Sequence, residues 1–231
     1  MVGVQHRPAL PEGRRAPGVL FLHGFPGSEK NVDIQRALME RGVASFAPHF
    51  AGAWGSGGTY RYSTLVDQAR TALAVLSRLD HVDPRRLAVF GFSMGGWTAI
   101  NLAARAPGLR GVVAVAPVGG PEMVTPETAR FLEKMSKPLN APGGHVLTRD
   151  FAVSARACDP AKAVARLPCP LLLVHGTEDD VVPYAVSRRL AAIAGARAEL
   201  VTAKGGEHSF LDRRPWLTRV VMRWLFGRLD R

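Results

Sequence analysis

The sequence predicts an α/β fold in which helices cover both faces of a mostly parallel, twisted β-sheet. Short apolar runs of four to six residues alternate with longer segments of helical periodicity, which is typical of parallel sheets buried on both faces. The length of 231 residues, with 47% hydrophobic and 21% charged residues, fits one globular domain spanning 1–231. A serine flanked by glycines stands between one apolar run and one helical segment.

The apolar runs are predicted to be strands because they are short and rich in Val, Leu and Ala. They occupy 18–22, 43–47, 87–90, 111–116, 171–174 and 198–202, with an edge strand at 2–7. Helices are predicted at 31–40, 63–79, 94–106, 184–194 and 215–228. The last helix has apolar residues at i, i+3, i+4, i+7 and i+8, which gives it one face to pack on the sheet.

The segment 118–167 breaks the alternation with five prolines and the pair Gly143-Gly144. Connections this long are uncommon in compact domains unless they form lids or binding elements. We therefore expect a small lid insertion over the site, and a long crossover connection is the alternative. Its apolar side chains would face the site: Met123, Phe131, Leu132, Met135, Leu147 and Phe151.

Composition bears on partners and compartment. The net charge is +11, but the basic residues are scattered singly and in pairs and only five of the thirty are lysines, so we expect no nucleic-acid partner. The amino terminus lacks a secretory pattern and no run of 18 apolar residues occurs, so we expect a cytoplasmic protein with no membrane span. Cys158 and Cys169 lack C-x-x-C spacing and are interpreted as small apolar residues.

The main chemical signal is the stretch Gly91 to Gly96, which reads G-x-S-x-G-G between a predicted strand and a predicted helix. This pattern puts Ser93 on a tight strand-to-helix turn, where glycine avoids Cβ clashes. The helix amino terminus then points at the serine, so the Met94 N–H can donate to an oxyanion. The sequence therefore predicts Ser93 as a nucleophile.

A serine nucleophile needs a histidine base and an orienting carboxylate. The strand at 171–174 runs into His175-Gly176-Thr177-Glu178-Asp179-Asp180, and the strand at 198–202 runs into a glycine-rich loop that carries His208. The order serine, acid, histidine is the one expected for this turn. From the residues alone, Asp179, Asp180 and Glu178 remain alternatives for the acid. His23 and His175 are expected to stabilise their loops by hydrogen bonds.

Together the segments HGFPGS, GFSMGG, HGTEDDVVP and GGEHSF resemble the α/β-hydrolase superfamily, in particular its small serine esterases of cinnamoyl- or feruloyl-esterase type and its acyl-peptidase-like members. The resemblance covers nearly the whole chain. It implies that Asp179 is the acid and His208 the base. It also implies that Phe25, after His23-Gly24, donates the second oxyanion N–H beside that of Met94.

These features predict a serine hydrolase of carboxylic esters with short acyl or aryl groups, which acts on a small-molecule substrate through an acyl-enzyme. An acyl-peptidase or amidase-like hydrolase and a non-catalytic binding protein on the same fold are the alternatives. No cofactor or metal is expected, because neither H-E-x-x-H nor G-x-G-x-x-G occurs in context. Trp54, in a glycine-rich stretch, is either part of the pocket wall or in a flexible surface loop. The oligomeric state cannot be read from the sequence.

Overall fold

The computed structural model describes residues 1–27 and 30–230, so Ser28, the last residue of the HGFPGS segment, lies outside them. Within these residues seven strands form one sheet: β1 (Gly3–His6), β2 (Ala16–Leu22), β3 (Ala44–Pro48), β4 (Val82–Phe92), β5 (Gly111–Val115), β6 (Leu171–Gly176) and β7 (Ala198–Ala203). Their order is β1-β3-β2-β4-β5-β6-β7. Only β1 is antiparallel to its neighbour, so the predicted mostly parallel sheet is confirmed.

In the part of the chain that the structure describes, eight α-helices connect or follow these strands: α1 (Val32–Glu40), α2 (Leu65–Ser77), α3 (Met94–Ala103), α4 (Pro126–Met135), α5 (Gly144–Ala157), α6 (Pro160–Ala165), α7 (Ala185–Ala194) and α8 (Arg214–Leu229). Side chains of α1 and α8 pack in the core on one face of the sheet. Side chains of α2, α3 and α7 pack in the core on the other face. The α/β-hydrolase fold predicted from the sequence is thus confirmed.

Strand β4 is longer than the predicted run 87–90 because its first half is polar. Val82 pairs with Ala16, the pairing then shifts register, and it resumes where Leu87 lies opposite Gly18. The residues between, Asp83 to Arg86, lie in this irregularity, are exposed or half-buried and carry no apolar signal. The side-chain pattern therefore does not reveal the first half of the strand.

The segment 118–167 contains three of the helices. Helix α6 packs against α3 and α7, and therefore belongs to the layer that covers the sheet. Helices α4 and α5 pack on each other, and α5 also contacts the short 3₁₀ turn Tyr62–Thr64. Thr125 caps the amino terminus of α4: its hydroxyl accepts the Thr128 N–H, which stabilises the first turn.

Candidate active site

Ser93 stands at the turn between β4 and α3 in a backbone conformation with φ 54° and ψ −117°. Such a conformation costs a non-glycine residue on the order of 1–3 kcal/mol. The flanking glycines make the turn possible: a Cβ at Gly91 would lie 2.1 Å from the Gly95 oxygen, and a Cβ at Gly95 would lie 2.0 Å from the Leu22 oxygen. The G-x-S-x-G pattern is therefore required by main-chain packing.

The three residues predicted as nucleophile, base and acid lie in hydrogen-bonding contact. The Ser93 Oγ to His208 Nε2 distance is 3.0 Å, and the His208 Nδ1 to Asp179 Oδ2 distance is 2.7 Å. Because an ionised carboxylate only accepts hydrogen bonds, His208 carries its proton on Nδ1 and leaves Nε2 to accept from the serine hydroxyl. This arrangement allows proton transfer from Ser93 to His208.

Of the three acidic alternatives, Asp179 is the one placed against His208. Its carboxylate is fully buried, and its second oxygen accepts the backbone N–H groups of Val181 at 3.0 Å and Val182 at 2.7 Å. Burial alone would raise the pKa of this carboxyl, but hydrogen bonds from His175, His208 and Val182 hold it well below its ordinary value. Asp179 is consequently charged at neutral pH.

His175 contributes to this carboxylate directly, which sequence reasoning missed. Its Nε2 lies 3.1 Å from Asp179 Oδ2 and 2.9 Å from the Val182 carbonyl oxygen, and its Nδ1 lies 2.7 Å from Ser187 Oγ. Because the Val182 carbonyl can only accept, Nε2 carries the proton. The spacing of four residues between His175 and Asp179 was the available signal, but the sequence did not show that the turn closes on the carboxylate.

Two glycines bring the acid loop and the base loop together. A Cβ at Gly176 would lie 2.0 Å from the Gly206 oxygen. Across the same contact, Glu178 N–H donates to the Gly206 carbonyl at 3.0 Å and Gly205 N–H donates to Thr177 Oγ1 at 2.8 Å. The distance between Asp179 and His208 therefore depends on close approach of two backbones at the ends of β6 and β7.

The two residues predicted to supply oxyanion donors, Phe25 and Met94, line the same cavity as Ser93. Met94 is the first residue of α3, and the first N–H groups of a helix have no intrahelical acceptor. Phe25 follows Gly24, which packs so closely that a Cβ there would lie 3.2 Å from Ser93 Cβ. His23 Nδ1 donates to the Gly24 carbonyl at 2.7 Å and its Nε2 accepts the Phe50 N–H at 3.1 Å. Burial lowers the pKa of His23 to about 4.

A cavity of about 950 Å³ opens onto Ser93 and His208. One wall is aromatic, with ring centroids of Phe25 and Tyr62 5.7 Å apart, Tyr62 and Phe151 5.0 Å apart, and Phe25 and Phe131 6.5 Å apart. Phe131 belongs to α4 and Phe151 to α5, so the segment 118–167 supplies part of this wall. Trp54 is not among the residues that line the cavity; its indole N–H instead donates to the Pro26 carbonyl.

Residues 1–27 and 30–230 contain no group of three or more His, Cys, Asp or Glu side chains arranged to hold a metal ion. None of the helices they form combines the length and apolar character needed to cross a membrane.

A model of the α/β hydrolase family matches residues 19–218, and the chain belongs to this family. The uncharacterized protein YfhR of Escherichia coli K12 is 27% identical over 200 residues, which are 84% of this chain and 64% of YfhR. The chain thus spans less than two thirds of that relative. The human mitochondrial palmitoyl-protein thioesterase ABHD10 is 23% identical over 86% of this chain and 69% of its own.

Among solved structures, Est1E of Butyrivibrio proteoclasticus with bound ferulic acid superposes with a TM-score of 0.80. The identity is 23%, and the match covers 100% of this chain and 96% of Est1E. At this identity the likeness shows the fold.

Proposed function

We propose that this protein is a serine hydrolase that cleaves carboxylic esters with apolar acyl or aryl groups through an acyl-enzyme intermediate. The observation that carries the proposal is the chain of hydrogen bonds from Ser93 and His208, which line the cavity, to the buried carboxylate of Asp179. A solvated serine in a glycine turn would need neither the imidazole at 3.0 Å nor the buried carboxylate behind it.

In the proposed reaction, Ser93 Oγ attacks the ester carbonyl carbon while His208 Nε2 takes the hydroxyl proton. The carbonyl oxygen becomes an oxyanion that accepts hydrogen bonds from the N–H groups of Phe25 and Met94. Asp179 stabilises the imidazolium, which then gives its proton to the departing alcohol oxygen. A water molecule, deprotonated by His208, hydrolyses the acyl-enzyme and releases the acid.

The aromatic wall supports an apolar acyl group. Burying a methylene group in such a wall contributes about 0.8 kcal/mol, so binding should strengthen with acyl length until the cavity is filled. A thioester, the bond named for the human relative ABHD10, would be open to the same attack on its carbonyl carbon.

We also propose that α4 and α5 form a lid over this site. Both supply side chains to the cavity. In the short 3₁₀ turn before α4, Glu122 accepts the Gly120 N–H at 3.0 Å and pairs with Arg189 of α7, which ties the segment to the helical layer. Phe131 is 37% exposed at the cavity wall, so it can meet a substrate that approaches from solvent.

The test is a panel of p-nitrophenyl esters graded by acyl length, together with labelling by a fluorophosphonate probe. We expect native protein to hydrolyse the esters and to be labelled, and Ser93→Ala to lose both properties by at least about a thousandfold. Ser209→Ala is the matched control, because Ser209 lines the same cavity; it should be labelled like the native protein. Native-rate hydrolysis by Ser93→Ala would overturn the proposal, and comparing matched esters with anilides separates an esterase from an amidase.

A further inference from the structure

We propose that Trp54 is a positioning residue for the reaction, because it fixes the loop that carries the Phe25 N–H. The inference rests on the proposed function, in which this N–H stabilises the oxyanion. Trp54 does not line the cavity, so it acts through the loop and not on the substrate.

The indole of Trp54 holds the oxyanion loop, residues 23–27, from outside. Its Nε1–H donates to the Pro26 carbonyl oxygen at 2.8 Å. Pro26 directly follows Phe25 and has no N–H of its own. Its carbonyl oxygen is therefore the backbone group of Pro26 that can be held by a hydrogen bond.

The conformation and surroundings of Gly27 give independent evidence that Trp54 packs on the oxyanion loop. Its φ is +100°, and a Cβ there would lie 2.6 Å from Trp54 Nε1 and 2.8 Å from the His23 ring. The indole of Trp54 and the imidazole of His23 therefore both pack directly on the loop backbone at Gly27 and leave no room for a side chain there. His23 fixes the start of the loop through Gly24, and Trp54 fixes its end through Pro26.

The position of Trp54 is itself fixed by contacts with neighbouring residues. Its carbonyl accepts from His49 Nδ1 at 2.8 Å, and Lys30 Nζ lies 5.4 Å from the centre of its ring. Two residues earlier, Gly52 N–H donates to the Gly57 carbonyl and the Gly52 carbonyl accepts the Asn140 N–H at 2.8 Å. The glycine-rich stretch around Trp54 is thus a hydrogen-bonded loop tied to the turn between α4 and α5.

Loss of the hydrogen bond from Trp54 to Pro26 should destabilise the transition state, because the Phe25 N–H would be held less firmly. A misplacement of about 1 Å in a reacting geometry can cost about a hundredfold in rate, and loss of a whole oxyanion donor costs about 100- to 1000-fold in kcat. Loosening one donor without removing it should therefore lower kcat by about 10- to 100-fold. KM should stay within about twofold, because the ground-state ester makes weaker hydrogen bonds to these donors.

The test variant is Trp54→Phe, which keeps an aromatic ring beneath Lys30 and removes the N–H. Trp216→Phe is the control, since Trp216 stacks on Phe210 and, among the described residues, makes no hydrogen bond to the oxyanion loop. Besides kcat and KM with a p-nitrophenyl ester, we would measure inhibition by a trifluoromethyl ketone with the same acyl chain. This ketone adds to Ser93 and forms an oxyanion, whereas the matched secondary alcohol binds without adding.

We expect Trp54→Phe to lose ketone affinity and kcat in parallel, by about 10- to 100-fold, with alcohol affinity and KM unchanged. Unchanged ketone affinity, or an equal loss for ketone and alcohol, would overturn the inference. If the phenylalanine variant fails to fold, 3-benzothienylalanine at position 54 preserves the shape without the N–H and gives the same readouts. Absent labelling of native protein by a fluorophosphonate would instead defeat the proposed function, so the two failures are distinguishable.

Discussion

Replacing Asp179 by asparagine tests the candidate acid most sharply, because no orientation of an amide satisfies its surroundings. Four donors meet this carboxylate. Oδ1 accepts the N–H groups of Val181 and Val182, and Oδ2 accepts from His208 and His175. An asparagine offers one oxygen and one NH₂ group. Its oxygen can accept from only one of these two pairs of donors, and the other pair must face the NH₂ group, which is itself a donor.

If the amide oxygen stays with Val181 and Val182, its NH₂ group faces His208. His208 must then carry its proton on Nε2, the nitrogen that should accept from Ser93. In a serine protease this wrong-tautomer substitution lowers kcat about 10⁴-fold, so we expect Asp179→Asn to lose about 10³- to 10⁴-fold, which is about 4–5.5 kcal/mol. The other orientation leaves the buried N–H of Val182 against an NH₂ group and destabilises the loop.

The assay is steady-state hydrolysis of a p-nitrophenyl ester, with the unfolding midpoint of each variant as a check on folding. Asp180→Asn is the control: Asp180 is exposed, lines the same cavity and was an alternative acid from the sequence. We expect it to retain at least half of native kcat/KM. The reasoning is refuted if Asp179→Asn keeps more than a tenth of native activity, or if Asp180→Asn loses as much as Asp179→Asn.

Two further predictions concern pH and substrate length. Burial lowers the pKa of His23 from 6.5 to about 4. As the pH falls below 6.5, the unfolded chain therefore binds this proton before the folded protein does. The free energy of unfolding should decrease by about 3 kcal/mol between pH 6.5 and pH 4. Urea unfolding at several pH values checks this, and a His23→Asn variant with the same pH slope as native would contradict it. Phe131→Ala should lower kcat/KM for aryl and long-chain esters about 5- to 10-fold relative to the acetate ester. Val146 is exposed on α5, so the control variant Val146→Ala should leave this ratio unchanged. Equal losses for all esters in Phe131→Ala would argue against an acyl-binding wall.

The sequence by itself determined the fold class, the strand–serine–helix turn and the two polar loops that carry the acid and base candidates. These features are readable because they are local. Strand and helix periodicity depends on neighbouring side chains, and the glycine at 91 is required by a contact within the turn itself. The early part of β4 escaped prediction because Asp83 to Arg86 lie in an irregularity of the strand pairing and carry no buried apolar side chains.

The residues alone left Asp179, Asp180 and Glu178 open as the acid, and the family resemblance pointed to Asp179. The tertiary structure brings Asp179 against His208, and it alone shows that His175 shares this carboxylate and that Trp54 reaches Pro26. The contact with His208 depends on β6 and β7 being paired so that Gly176 touches Gly206. Likewise, Trp54 lies 28 positions from Pro26. From the sequence alone, Trp54 could belong either to the pocket wall or to a flexible surface loop. Contacts between distant segments are set by strand pairing and packing over the whole sheet, which local patterns do not encode.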